Sequence, residues 1–153
     1  MVARTLRTPG FHATGTRPIT WKRSRLWQAR LWVGADQGGE ISLGLHPSEK
    51  AAHLFWRDVR VLLKTRTEFD GDPIALATWE CCRLVAEARG QTWDYLPKWV
   101  IEREENGETV YVAEGTIRGK RIETGTFPTP REAFEAFWET AGPRLGGRQR
   151  AFV

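Results

Sequence analysis

The sequence predicts an α+β fold: two units of three-stranded antiparallel sheet packed on one helix, with an extra connecting helix between them. Three observations predict it. The segment Gly44-Leu45-His46-Pro47-Ser48-Glu49-Lys50-Ala51-Ala52 reappears 81 residues later as Gly125-Thr126-Phe127-Pro128-Thr129-Pro130-Arg131-Glu132-Ala133. Each copy follows short runs of alternating apolar and polar residues, the period of a half-buried strand. Each copy also opens a segment whose apolar residues recur every three or four positions, the period of an amphipathic helix. A unit of this size cannot bury a core alone, so two are expected to stack.

The first unit is expected to begin near Ile19. Residues 21–25 are a short strand candidate. Residues 27–33 are a clearer one, with Trp27, Ala29, Leu31 and Val33 on one face and Gln28, Arg30 and Trp32 on the other. Residues 34–39, rich in glycine and carrying Asp36, read as a hairpin turn. A third strand over 40–45 turns Ile41 and Leu43 inward and Glu40 and Ser42 outward. Ser48 then caps a helix to about Lys64, whose apolar stripe is Ala52, Phe55, Trp56, Val59, Leu62 and Leu63. After a linker over 66–72, a second helix is expected with Asp72 as N-cap, Pro73 in its first turn and Gly90 at its end. Its buried side is Ile74, Ala77, Cys81, Leu84, Val85 and Ala88.

The second unit reads the same way. Strands are expected over 99–103, 110–117 and 121–126, with an Asn106-Gly107 hairpin signal and a tight turn over 118–120. Thr129 and Glu132 form a capping box with Pro130 at the first helical position, and the helix is expected to reach Ala141. In the second strands the offset is 84, pairing Trp27 with Tyr111, Ala29 with Ala113 and Val33 with Ile117. The three-residue difference from the later offset falls in the turn. The pairs Phe55-Trp56 and Phe137-Trp138 fall one residue out of register and read as coincidence. The chain thus divides into a basic flexible arm (1–18), a first unit (19–66), a linker and connecting helix (67–97), a second unit (98–141) and a flexible tail (142–153).

Composition narrows the function. With 153 residues, 41% of them hydrophobic, and 8 Trp, the chain can bury a real core. Its net charge of +4 hides an asymmetry: residues 1–66 hold 12 Lys/Arg against 4 acids, and the rest holds 11 against 15. A basic half points to a polyanion, and the acidic half to a protein partner. No apolar stretch approaches the ~18 residues of a membrane span, and the first residues lack the apolar segment of a signal peptide. Adjacent Cys81 and Cys82 suit neither a disulfide nor a metal spacing and read as buried thiols of a reducing, cytoplasmic compartment. His12, His46 and His53 have no acid or thiol cluster near them, so no metal is expected. There is no Ser-His-Asp set, phosphate-cradling glycine loop or H-E-x-x-H. The expectation is a protein without catalytic residues or cofactor.

An aromatic-x-Ala in strand two, a strand ending in Gly, a Ser or Thr cap and a helix rich in Ala and aromatics recur together. The carriers are Trp27-Gln28-Ala29-Arg30-Leu31 with Leu43-Gly44, and Tyr111-Val112-Ala113-Glu114 with the segment from Thr124 to Ala133. This pattern resembles the AP2-type DNA-binding domain and the amino-terminal arm domains of phage-type tyrosine integrases, as two divergent copies covering roughly two-thirds of the chain. The resemblance implies a three-stranded sheet laid in the DNA major groove with its helix behind. Carried over by position, the groove-facing residues are Lys22, Arg23 and Arg25 on strand one and Arg30 and Trp32 on strand two. In the second copy they are Arg103, Arg118 and Arg121. Glu40, Ser42, Glu114 and Glu123 depart from the pattern, and acids facing phosphate make the second copy the weaker binder.

From the residues themselves, cations interleaved with Trp21, Trp27 and Trp32 would release counterions from phosphates while an exposed ring stacks. Alternation places Trp32 outside and leaves Trp21 and Trp27 to the core. The expected function is non-catalytic nucleic-acid binding, to duplex DNA first and RNA second. The alternative is a protein-binding accessory or inhibitory subunit of a larger nucleoprotein complex, since Trp and Arg anchor interfaces.

Overall fold

The computed structural model describes residues 15–21 and 24–146. Strands β1 (Thr16–Trp21), β2 (Ser24–Trp32) and β3 (Glu40–His46) pair antiparallel in that order. Helix α1 (Glu49–Thr65) packs on one face of this sheet. Helix α2 (Ile74–Ala88) follows. Strands β4 (Val100–Glu105), β5 (Glu108–Ile117) and β6 (Lys120–Glu123) form a second antiparallel sheet, and helix α3 (Pro130–Leu145) packs on it. The α+β architecture is the one the alternation and the repeat dictate.

The repeat extends into the strand register. Thr16 pairs with Ala29 as Val100 pairs with Ala113, and Trp27 pairs with His46 as Tyr111 bridges Phe127. Arg30↔Ser42, Leu31↔Ile41 and Trp32↔Glu40 recur as Glu114↔Glu123, Gly115↔Ile122 and Thr116↔Arg121. Ser48 accepts from the Ala51 N–H as Thr129 accepts from that of Glu132, so both helices start on the same side-chain cap. Ala29 and Ala113 are both fully buried, because a larger side chain there would hold the helix away from its sheet. Phe55, Val59 and Leu63 fill the first helix–sheet interface, and Phe134, Phe137 and Ala141 the second. Each large apolar side chain so buried contributes about 1.5–3 kcal/mol.

Three expectations need correction. The first strand is not 21–25 but Thr16–Trp21, so Thr16 to Pro18, assigned by sequence to the arm, belong to the sheet. Residues 24 and 25 belong to β2. Asp72 does not cap α2: Pro73 stands at the N-cap, and the Ile74 N–H donates to Gln37 Oε1 at 3.3 Å. Asp72 instead accepts from Arg131. Helix α3 continues past Ala141 through Pro143 and ends at Gly146, whose N–H closes the last turn. Phe55 and Phe137 are both core, and Trp56 and Trp138 both lie half-buried against it.

Helix α2 is buried on more than one stripe: Ala75, Leu76, Ala77, Thr78, Cys81 and Cys82 are all inaccessible. It packs on α1 and β3, and its Glu80, with Asp72 and Glu135, surrounds Arg131 of α3 at 2.8–3.2 Å. Burial opposes the Arg131 charge, but the hydrogen bonds and charges of these carboxylates outweigh it and raise its pKa. Neither thiol is in a disulfide, and burial, with Cys81 beside it, pushes the Cys82 thiol well up. The second unit also touches the first directly. Lys98 Nζ donates to the Gly38 and Glu40 carbonyls at 2.5 and 2.9 Å, and Gly38 abuts the Trp99 ring.

Candidate nucleic-acid interface

Helix α1 covers the face of the first sheet that carries Ala29, Ile41 and Leu43. Alternation therefore turns Arg17, Gln28, Arg30, Trp32, Glu40 and Ser42 to the other face. Three of them form a row across the strands. Arg17 Nε donates to Gln28 Oε1 at 2.8 Å, and Gln28 Nε2 donates to Ser42 Oγ at 3.1 Å. Beside the row, Arg30 donates to Glu40 at 3.0 Å in a diagonal cross-strand pair. The Arg30 Nε is buried and has no hydrogen-bond partner. Trp32 is 69% exposed at the end of β2, its ring edge near Gly39.

This face presents chemistry of two kinds. Among the described residues Arg17 has a neutral amide as its partner and no carboxylate, while Arg30 is paired with Glu40. The Arg-Gln-Ser row offers donors and acceptors at the spacing of neighbouring strands, which suits a surface bearing both phosphates and base edges.

The residues expected to contact nucleic acid are not all gathered here. Arg30 and Trp32 stand on this face together. Arg25 does not: it shares a face with Trp27, its guanidinium 5.8 Å from that ring, on the opposite side of β2. The reason is that 25 and 27 lie on one strand, two residues apart, whereas the sequence reading placed them on different strands. Lys22 and Arg23 lie outside the described residues. In the second unit Arg103 and Arg121 occupy the corresponding outer face, with Arg121 3.2 Å from Glu114. Arg103 lies 3.6 Å from Glu114 and 3.7 Å from Glu123. Arg118 is exposed in the left-handed turn between β5 and β6, at φ 49°.

Arg17 was missed, although the repeat could have found it. Continuing the offset of 84 through the hairpin pairs Arg17 with Ile101 and Gly15 with Trp99. Gly15 and Trp99 share a left-handed backbone, at φ 82° and 71°, and the Gly15 carbonyl accepts from Arg30 as that of Trp99 accepts from Glu114.

Comparison with family models, with curated proteins and with solved structures gave no match to this chain. Among the described residues no cluster of His, Cys, Asp and Glu could hold a metal ion, and no helix is long and apolar enough to cross a membrane.

Proposed function

We propose that the chain binds duplex DNA, without catalysis, through the outer face of the β1-β2-β3 sheet. The observation that carries this reading is the Arg17-Gln28-Ser42 row, set beside Arg30 and the exposed Trp32 on the sheet face that α1 leaves uncovered. The major groove admits a β-ribbon, arginine and glutamine pair with guanine and adenine edges, and an exposed ring can lie against sugar or base. The basic balance of residues 1–66 supports the same reading, since phosphate contacts supply most of the affinity. The AP2-like pattern adds an expected docking mode.

A titration across duplex DNA, single-stranded DNA and RNA at two salt concentrations tests it. Duplex binding should be tightest. Replacing Arg17 and Arg30 together with Ala should weaken it by about ten- to a hundredfold and reduce the salt slope by up to about 2. Replacing Arg103 and Arg121 should leave the curve in place. Unchanged binding in the Arg17→Ala/Arg30→Ala variant would remove the proposal. Salt-insensitive capture of a protein through Trp32 would favour the accessory-subunit reading instead.

A further inference from the structure

A cavity of about 240 Å³ lies at the outer edge of β3, between that strand, α2 and residues 93–98. Three of its walls are aromatic. The Trp93 and Tyr95 rings meet at 4.8 Å, and Trp79 is fixed by its Nε1 donating to the Tyr95 carbonyl at 2.8 Å. Walls of this kind accept a flat apolar ring. Glu40 and Ser42 belong both to this cavity and to the outer sheet face.

The polar groups in the lining are donors with protons to spare. Trp93 lends the cavity its ring alone, since its Nε1 is buried. Ser42 Oγ accepts from Gln28 and from the Gly44 N–H at 3.1 and 3.2 Å, which occupies its lone pairs and leaves its own proton uncommitted. Lys98 spends two of its three N–H bonds on the Gly38 and Glu40 carbonyls. Burial lowers the Lys98 pKa, and the charge of Glu40 offsets part of that. The Glu40 carboxylate is itself held by Arg30 at 3.0 Å, which softens its repulsion of an anion.

We propose that this cavity binds a small planar carboxylate, its ring against the tryptophan and tyrosine walls and its carboxylate on Lys98 and Ser42. A cationic donor and a hydroxyl, each with a proton left to give, beside stacking surfaces call for an acceptor-rich anion with a flat body. A neutral ring would leave the donors unmet, and an ammonium ligand would face Lys98. Such a ligand would bear on Ser42, which holds Gln28, and on Lys98, which holds the strand carrying Glu40. It would therefore tune the sheet face, a consequence that rests on the proposed DNA-binding reading, whereas the binding itself does not.

Calorimetry and tryptophan fluorescence with benzoate and indole-3-carboxylate, against benzamide and indole as neutral counterparts, test the site. The carboxylates should bind saturably and at least about tenfold more tightly than the neutral rings. Ser42→Ala and Lys98→Met should each weaken them by about tenfold, with Lys98→Arg retaining most of the affinity. Because Lys98 also ties two carbonyls, Ser42→Ala keeps the test decisive if Lys98→Met unfolds. No saturable signal, equal binding of benzamide and benzoate, or undiminished binding by Ser42→Ala would overturn the proposal. Carboxylate binding by a chain that binds no DNA would sink the functional reading and leave this site standing.

Discussion

The two units share a register and differ in what they place on it. At the diagonal position where the first unit has Arg30 and Glu40, the second has Glu114 and Arg121. The ion pair is kept and its charges are exchanged. Around it the faces diverge further: Arg17, Gln28, Trp32 and Ser42 correspond to Ile101, Val112, Thr116 and Glu123. The second face carries two arginines and two glutamates bound to one another, whereas the first carries Arg17, with no carboxylate on it among the described residues, and a tryptophan in the open. A cross-strand pair contributes similarly to the sheet whichever strand bears the cation. Binding a polyanion does distinguish the two faces, because only the first has cationic charge left over. Stability should therefore treat the units alike and ligand binding should not.

The strongest way to break that comparison is through the cores. Phe55 and Phe137 are both inaccessible, and each fills its own unit's helix–sheet interface, one residue out of register with the other. Phe55→Ala and Phe137→Ala should each destabilise by about 3–5 kcal/mol, because lost transfer energy and an unfilled cavity add. Denaturant unfolding of the two variants measures this. A large loss in one and a change under about 1 kcal/mol in the other would mean that the repeat is a resemblance of sequence without shared mechanics.

Most of this scaffold can be read from the residues. Alternation through Trp27, Ala29 and Leu31, the matched caps Ser48 and Thr129, and the period of both helices define their elements locally. What was not legible depends on partners far along the chain. Residues 16–21 alternate weakly and contain Pro18, which argues against a strand unless it is an edge, and β1 is an edge. Misplacing it hid Arg17 and put Arg25 on the wrong face. Asp72 followed by proline has every local mark of a helix cap, yet Arg131, 59 residues on, claims it and Gln37 serves the helix instead. Of the candidate interface, Arg30 and Trp32 follow from alternation alone. The Arg-Gln-Ser row needs the register of three strands.

The repeated glycines sharpen the comparison at a smaller scale. Gly44 and Gly125 align, but only Gly44 has a left-handed backbone, at φ 86°. A Cβ on Gly44 would lie 2.7 Å from the Trp93 ring and 3.0 Å from that of Tyr95, whereas one on Gly125 would meet nothing within 4 Å. The linker thus packs on the first unit's bulge, and among the described residues no segment does so on the second. Gly44→Ala should lower stability by about 1–3 kcal/mol through strain and overpacking. Gly125→Ala should leave it unchanged or raise it by up to about 1 kcal/mol. Equal losses in the two variants would show that the conformational difference is not what separates these sites.

The smallest expected effect concerns His46, which stands where the second unit has Phe127. Its ring packs 4.8 Å from that of Phe55, and its Nε2–H donates to the Leu43 carbonyl at 2.9 Å. Burial lowers its pKa, the Leu43 carbonyl pulls the other way, and the Arg89 charge lowers it again. The folded chain therefore prefers the neutral ring, while the unfolded chain takes up its proton near the ordinary value of 6.5. Between those two pKa values the unfolded state binds more protons, so stability rises with pH through that window and falls as the solution is acidified below about 6.5. Phenylalanine has no proton to lose, so His46→Phe, which makes the first unit resemble the second, should flatten this part of the pH dependence. Urea midpoints measured at about pH 5.5 and 7.5 supply the comparison. Carboxylates titrate in both proteins and cancel in the difference, so an identical drop in the variant would assign the acid sensitivity elsewhere.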